Sequence, residues 1–243
     1  MELAGRVALV TGAGQRLGQA LAVALGARGM RVAVHYRGSA AGADDTCRRI
    51  AAAGGDAHPF RADLTEADAP GALVEAAAAH FGALDVLVNS AAVMERTPVD
   101  EVTPGQWDAM FALNLRAPFF CAQAAARAMG ERGGAIVNLA DLAAFETWPA
   151  YVPHTITKAG VVQMTRALAR ALAPRVRVNA VAPGTVLLPA GWNAEAEERL
   201  RRTTPLGRSG TPDDVAHAVL YLLEADFVTG EVLVVDGGRH VRT

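Results

Sequence analysis

Seven short apolar runs, separated by longer stretches of helical character, constrain the fold of this chain more than any other feature. The runs are 6-RVALV, 31-RVAVHY, 56-DAHPF, 84-LDVLVN, 134-GAIVNLA, 175-RVRVNAV and 231-EVLVVDG. Between them apolar residues recur three and four positions apart, as in Leu17, Leu21 and Leu25, which is the period of an amphipathic helix. Unbroken apolar runs are typical of parallel strands that are buried on both faces. The pattern predicts an α/β fold with a doubly wound, mostly parallel seven-stranded sheet and helices on both of its faces.

No stretch rich in Pro, Gly or Ser divides the 243 residues, so residues 1–243 are predicted to form a single domain. Half of the residues are hydrophobic (51%) and 20% are charged, which is enough apolar surface for one large core. The least regular segment follows the sixth run. Because long insertions beyond a strand's carboxyl end often cover a site, residues of about 185–210 are predicted to form a cover.

Charge and cysteine usage narrow the classes of function. The net charge is −2 and no basic stripe is visible, which disfavours a nucleic-acid partner. Cys47 and Cys121 have neither the spacing of a metal site nor that of a redox pair, so no metal is predicted. No apolar run approaches the ~20 residues of a membrane span, and the first residues lack a signal-peptide pattern. We therefore expect a cytoplasmic protein that acts away from membranes.

A glycine-rich run follows the first predicted strand and precedes an alanine-rich helix. Glycines at this point let the backbone approach a pyrophosphate, which the amide groups of the helix start can bind. The run therefore predicts a Rossmann-type dinucleotide site. Its candidate cofactor-binding residues are Gly12, Gln15, Arg16, Leu17 and Gly18.

The end of the second predicted strand indicates which dinucleotide binds. Sites for NAD usually place an acidic residue here to accept the ribose hydroxyl, and residues 34–39 contain none. Arg37, His35 and Ser39, together with Arg16, could instead meet a 2′-phosphate, with Tyr36 beside them. NADP(H) is therefore favoured over NAD(H). The alternative is that these are exposed loop residues without a ligand.

Polar residues also follow the third and fourth predicted strands. Asp63 and Leu64 come after the third strand, and Asn89, Ser90 and Ala91 end the fourth. Ligands bind beyond the carboxyl ends of strands in open α/β sheets, so all five are candidate cofactor-binding residues. For Asp63, a helix cap before Thr65 is the competing interpretation.

Along essentially its whole length, the chain resembles the short-chain dehydrogenase/reductase family. The glycine run is similar to the family's T-G-x-x-x-G-x-G, and 89-NSAA is similar to its N-N-A-G. The resemblance implies that Pro183, Gly184 and Val186 lie beside the nicotinamide and that Asn114 holds a water near Lys158. It also implies a homotetramer in which 228-VTGEVLVVDGG lies near an interface.

Within that family the chain is most similar to pteridine and dihydrofolate reductase relatives. Those relatives carry an arginine at the second glycine of the first motif, as Arg16 does here, and a stretch like 35-HYRGS. They also carry an aspartate in place of the usual catalytic serine, a position that Asp141 occupies, and an ending like 236-DGGRH. A pteridine-like substrate is therefore implied as one candidate.

The family's proton-transfer pair is Y-x-x-x-K on one helix. Aligned on Lys158, the tyrosine position holds His154, thirteen residues after Asp141 as the family spacing requires. Residues four apart share a helix face, so Lys158 can act on its partner. The resemblance implies that Lys158 also holds the nicotinamide ribose. His154 assisted by Asp141 is the favoured proton donor. Two alternatives stay open: Tyr151 supplies a phenol from before the helix, or Asp141 donates the proton itself.

These expectations combine into one function and one rival. The favoured function is an NADPH-dependent oxidoreductase that transfers a hydride between the nicotinamide and a carbonyl or C=N bond of a small molecule. The rival is a catalytically weak NADP-binding sensor or scaffold, which the missing tyrosine suggests. The presence of Asn114, Asp141 and Lys158 argues against that rival.

Overall fold

All seven predicted strands form one parallel sheet in the computed structural model, which describes residues 1–188 and 193–241. The strand order is β3-β2-β1-β4-β5-β6-β7, and every pairing is parallel. This confirms the predicted doubly wound architecture. The strands are β1 (Val7–Val10), β2 (Arg31–Tyr36), β3 (Asp56–Arg61), β4 (Val86–Asn89), β5 (Gly134–Leu139), β6 (Val176–Pro183) and β7 (Val232–Val235).

Helices cover both faces of the sheet, because the strands bury apolar side chains on both sides. The first, second and eighth helices pack together over one face, and the third, fifth and sixth pack over the other. The helices are α1 (Arg16–Ala27), α2 (Ala40–Ala52), α3 (Ala69–Phe81), α4 (Pro104–Phe111), α5 (Ala117–Met129), α6 (Val152–Leu172), α7 (Ala194–Thr203) and α8 (Pro212–Glu224). A π-helical turn, Ala112–Arg116, joins α4 to α5.

The order of the strands reverses between β1 and β4. The chain runs outward from β1 to β3 and then returns to the other side of β1. Ligands in such sheets bind in the crevice at this reversal, beyond the carboxyl ends of the strands. Here Thr11 links the ends of β1 and β4, because its hydroxyl accepts hydrogen bonds from the amides of Ser90 and Ala91.

The predicted cover contains α7, and the C-terminal end of the segment is hydrogen-bonded to the loops that follow β6 and β7. The amide of Gly210 donates to the carbonyl of Thr185 (3.2 Å), and the amide of Leu206 donates to that of Gly237 (3.1 Å). Residues 189–192 of the predicted cover lie outside the described residues. Within the described ranges, none of the helices combines the length and apolar character that crossing a bilayer demands.

Candidate active site

A cavity of about 760 Å³, here called the main cavity, runs along the carboxyl ends of the central strands. It is lined by residues that follow β1, β2, β4, β5 and β6 and by the start of α6. Most of the predicted cofactor-binding residues therefore come together in one place. Those that line it are Gly12, Gln15, Arg16, Leu17, Gly18, His35, Tyr36, Arg37, Ser39, Leu64, Ser90, Ala91, Lys158, Pro183, Gly184 and Val186.

Glycines are required in the turn between β1 and α1. Gly12 has a φ of +70°, and a Cβ atom there would lie 2.9 Å from the Cα of Ala91. A Cβ at Gly18 would lie 2.2 Å from the carbonyl oxygen of Gly12. The N-cap residue of α1, Gln15, makes no side-chain cap. The first amides of α1 therefore remain available to an anion in the main cavity.

Arg16 stands in this turn with a φ of 52°, the left-handed region that favours glycine. Such a conformation costs a side-chain-bearing residue ~1–2 kcal/mol. Its side chain is exposed and lines the main cavity, as does that of Arg37 beyond β2. The structure therefore places two cations at the end of the cavity nearest β2.

Asp63 is a turn residue beside Arg37. Its carboxylate accepts hydrogen bonds from the amide (3.0 Å) and hydroxyl (2.7 Å) of Thr65, and these bonds lower its pKa. Arg37 lies 3.9 Å from the same carboxylate. Because α3 begins only at Ala69, Asp63 closes a turn rather than capping a helix. Within the described part of the chain it does not line the main cavity.

His35 differs from the two arginines because its ring is buried under the glycine turn. Its Nδ1 accepts a hydrogen bond from the amide of Gly12 (3.0 Å), which leaves Nε2 to donate to the carbonyl of Ala62 (3.2 Å). Burial lowers the pKa of the ring and so favours its neutral form. Ser39 fixes the same turn, since its hydroxyl donates to the carbonyl of Gly14 (3.3 Å).

Asn89 is also turned into the protein. Its amide donates to the carbonyl of Pro118 (3.2 Å) and to the side chain of Asn138 (2.9 Å), and the residue is buried. Among the described residues that line the main cavity it is absent. Its geometry is that of a link between β4, β5 and α5.

Asp141 and His154 form a pair at the other end of the main cavity. Asp141 follows β5 and caps a short 3-10 helix, with Oδ1 accepting from the amide of Ala143 (3.1 Å). Its Oδ2 lies 3.4 Å from Nε2 of His154. The side chain of Asp141 is 26% exposed and that of His154 is 2% exposed. Both line the cavity, but the carboxyl group is the more accessible member.

Both ring nitrogens of the His154 imidazole have polar neighbours. Its Nδ1 lies 3.2 Å from the carbonyl oxygen of Val93, and the ring of Trp148 lies nearly parallel to the imidazole, with centroids 6.4 Å apart and an interplanar angle of 10°. Asn114, within the π-helical turn, approaches the same Nδ1 (3.5 Å) and exchanges two hydrogen bonds with the backbone of Val93. A proton on either ring nitrogen therefore faces an oxygen acceptor. A π-helical turn at a functional residue is a recurring arrangement.

Lys158 follows one helical turn after His154 and is also buried. Its Nζ donates to the carbonyl of Leu139, the last residue of β5 (2.9 Å). Burial lowers the pKa of this amine, and the charge of Asp141 opposes that shift. The ammonium is therefore fixed beside the Asp141–His154 pair and lines the main cavity.

Tyr151 lies just before α6, as the position of Pro153 predicts. Its backbone pairs with that of Thr97, and its amide donates to the carbonyl of Trp148. It does not line the main cavity among the residues that the structure describes. Of the competing proton donors, the geometry thus brings together His154 and Asp141 but not Tyr151.

Trp148 and Arg239 are polar-headed side chains of the cavity that the sequence did not identify as site residues. Trp148 precedes α6 outside any motif, so no pattern indicates that its ring lies parallel to that of His154. Arg239 follows β7, and its side chain reaches the main cavity near Thr185. A cation directly after a glycine pair at a strand's carboxyl end is the signal that could have identified it.

Comparison with known proteins agrees with this architecture. The family model described as Enoyl-(Acyl carrier protein) reductase matches residues 12–240. An oxidoreductase of Methylorubrum extorquens is 41% identical, covering 98% of each chain, and a 3-oxoacyl-[acyl-carrier-protein] reductase of Synechocystis is 37% identical, covering 97% of each. The structure of a variant short-chain dehydrogenase/reductase from Serratia marcescens superimposes with a TM-score of 0.92 at 33% identity, covering 99% of this chain and all of the other. The chain belongs to the short-chain dehydrogenase/reductase family of oxidoreductases.

Proposed function

We propose that this enzyme is an NADPH-dependent reductase of a carbonyl group in a small molecule. One observation carries the proposal. The Asp141–His154 pair, with its 3.4 Å contact, and Lys158 lie in the same cavity as a glycine turn built to bind a pyrophosphate. A binding site for a dinucleotide and a source of protons are both needed for hydride transfer to a polar double bond.

The residues of the cavity fit NADPH. The amides at the start of α1 suit the pyrophosphate, and Arg16 and Arg37 suit the 2′-phosphate of the adenosine half. Pro183, Gly184 and Val186 line the opposite half, where the nicotinamide would lie beside Lys158. When bound, NADPH supplies the hydride. Lys158 then holds the ribose, and its fixed ammonium stabilises negative charge that develops on the substrate oxygen.

The Asp141–His154 pair supplies the proton. Asp141 is the exposed member and can touch the substrate, and His154 can donate to it from behind through Nε2. Asn114 and the carbonyl of Val93, both beside Nδ1, orient the ring for this contact. The pair therefore takes the place of the phenol that the family uses; among the described residues, the tyrosine that lines the cavity is Tyr36, beyond β2 and away from the pair.

Ketones are the first substrate class to test, because a relative of this chain is named for the reduction of 3-oxoacyl groups. The C=N bond of a pteridine is the second class, and the aspartate at position 141 supports it. Oxidation of NADPH should be followed with a panel of ketones, 3-oxoacyl thioesters, quinones and dihydropterins. We expect turnover with at least one carbonyl compound.

The same panel tests the competing function. Because the family's tyrosine is replaced by His154, a sensor or scaffold that only binds NADP(H) is the second candidate. Tight NADPH binding by calorimetry without turnover of any compound on the panel would support that candidate and contradict a reductase.

We also propose that the enzyme is a cytoplasmic homotetramer. The edge strand β7 is only half-buried, and α5 exposes Phe119 and Phe120, which together leave apolar surface for a second copy of the chain. Cys47 and Cys121 are unpaired, as is usual in a reducing compartment. Static light scattering at micromolar concentration measures the assembly directly, and a monomer would contradict it.

A further inference from the structure

Arg239 lies where two cavities meet. It follows β7 and the turn of Gly237 and Gly238, and its side chain lines both the main cavity and a neighbouring cavity of about 400 Å³. This second cavity lies between β7 and the segment that carries α7. Gly237 and Gly238 both have positive φ values, +67° and +88°, so the turn that presents Arg239 depends on glycine.

The guanidinium group of Arg239 is only partly satisfied. Its Nη1 donates to the hydroxyl of Thr185 (3.1 Å). Its Nε is buried and has no hydrogen-bond partner within the described residues. A buried N–H without an acceptor is unfavourable, so the site is one that an oxygen acceptor would stabilise.

The carboxylates around this loop are already engaged elsewhere. Asp236 accepts from the amides of Gly238 (2.8 Å) and His240 (2.6 Å) and contacts the imidazole of His240 (2.8 Å). Asp214 binds both terminal nitrogens of Arg208, at 2.7 Å each. Arg239 has no carboxylate within 4 Å in the parts of the chain that the structure describes.

The loop of Arg239 is close to the reacting groups. A Cβ atom at Gly184 would lie 2.8 Å from the Cβ of Asp236 and 3.6 Å from a methyl group of Leu142. Leu142 is the neighbour of Asp141, and Thr185 is the neighbour of Gly184. The loop that carries Arg239, and the Thr185 hydroxyl that its side chain contacts, therefore lie on the side of the main cavity that contains Asp141.

We propose that Arg239 binds a carboxylate of the substrate, which makes the substrate an oxo acid. Nη1 is engaged by Thr185, so Nε and Nη2 remain as a pair of parallel donors, the edge that matches the two oxygens of a carboxylate. The carbonyl of the same molecule would then lie toward Asp141. The ligand is called a substrate because this inference rests on the proposed reductase function. Binding at the anion site itself can be measured without turnover.

The experiment measures binding to the complex of the enzyme with NADP⁺. Calorimetry compares 3-phenylpropionate with its amide and with phenyl phosphate. We expect the carboxylate to bind at least about tenfold more tightly than the amide, and Arg239→Gln to abolish that preference. Arg239→Lys should keep part of it, because a point charge lacks the paired donors. The matched control is Arg208→Gln, an arginine of the second cavity that is paired with Asp214, and it should keep the full preference.

Several results would overturn the assignment. If Arg239→Gln lowers the affinities for the carboxylate and the amide equally, Arg239 only shapes the cavity. If the variant lowers the affinity for NADP⁺, Arg239 binds the cofactor. Tighter binding of phenyl phosphate than of the carboxylate would replace the oxo acid with a phosphorylated substrate. Thermal melting of each variant shows whether it is folded.

Turnover separates this inference from the proposed function. If neutral ketones are reduced while carboxylates bind no better than amides, the inference is wrong and the reductase stands. If the Arg239-dependent carboxylate preference holds but no oxo acid or neutral ketone is reduced, the anion site stands and the reductase is wrong. Both the anion site and the reductase function are supported if oxo acids are reduced, if kcat/KM for them falls at least tenfold in Arg239→Gln, and if it is unchanged in Arg208→Gln.

Discussion

The two ends of the main cavity are built in different ways. The end nearest β2, here the adenosine end, consists of backbone amides, glycines and the exposed side chains of Arg16 and Arg37. The end nearest α6, here the reaction end, is dominated by buried side chains, with His154 2% and Lys158 5% exposed, and Asp141 is its more accessible member. Solvent screens the charges at the adenosine end strongly and those at the reaction end only weakly.

This difference determines what each end can contribute. Each exposed arginine can raise the affinity for a phosphate only modestly, because water competes with every contact. Buried groups cannot exchange partners with water, so the positions of Asn114, His154 and Lys158 are fixed by hydrogen bonds before a substrate arrives. Changes at the reaction end should therefore alter the rate, and changes at the adenosine end should alter affinity.

The largest effect is expected at the Asp141–His154 pair. Asp141→Asn and His154→Ala should each lower kcat by ~10²–10⁴, the range for loss of a general acid. NADPH affinity should change little, since neither residue lies at the adenosine end. Stopped-flow rates of NADPH oxidation with the best substrate of the panel, together with calorimetric NADPH affinities, measure both quantities.

Two further variants assign roles within the pair. His154→Tyr restores the family pattern, and the resulting phenol beside Lys158 should recover turnover and move the pH profile upward. Tyr151→Phe is the control, because Tyr151 lies outside the main cavity, and it should leave kcat within about twofold. Loss of turnover in Tyr151→Phe with a normal rate in His154→Ala would contradict this assignment. If Asp141→Asn alone is inactive, the carboxyl group transfers the proton without the imidazole.

The sequence predicted the adenosine end more completely than the reaction end. Glycine positions and strand ends are set by local backbone rules, so Gly12, Gly18 and Arg37 could be placed from the pattern alone. Side-chain direction is not set by local rules. His35 and Asn89 lie in the last residues of β2 and β4, where ligand-binding residues often lie, yet tertiary packing buries both side chains and the protein satisfies their hydrogen bonds. Trp148 and Arg239 reach the cavity through loops whose path depends on contacts remote in sequence.

A smaller effect is expected for the choice of cofactor. NADPH should bind at least tenfold more tightly than NADH, a difference of ~1.4 kcal/mol that one charge-assisted contact can supply. Arg37→Ala should weaken NADPH binding and leave NADH nearly unchanged. The control is Arg48→Ala, a surface arginine on α2 that is paired with Asp45. Equal dissociation constants for the two cofactors in the wild-type enzyme would show that the missing acidic residue after β2 does not select NADPH.

The smallest effect concerns stability, at the boundary between the sheet and the glycine turn. Burial lowers the pKa of His35 below its ordinary value of 6.5. The unfolded chain therefore binds a proton that the folded protein resists, and the folded state loses stability as the pH falls below about 6.5. Above that pH the ring is neutral in both states and adds no pH dependence. Asp63 partly opposes the shift through its charge.

His35→Gln tests this account, because glutamine is uncharged at every pH and can still pair with neighbouring backbone groups. Urea unfolding at pH 7.5 and 5.5 should show the wild-type protein losing up to about 1 kcal/mol more stability than the variant between the two conditions. His217→Gln, at an exposed position on α8, is the control: it shows how much the removal of a surface histidine changes the pH dependence of the free energy of unfolding. Parallel stability curves for wild type and His35→Gln would mean that the folded protein binds a proton on the ring as readily as the unfolded chain does, which would contradict the hydrogen bond from the Gly12 amide to Nδ1.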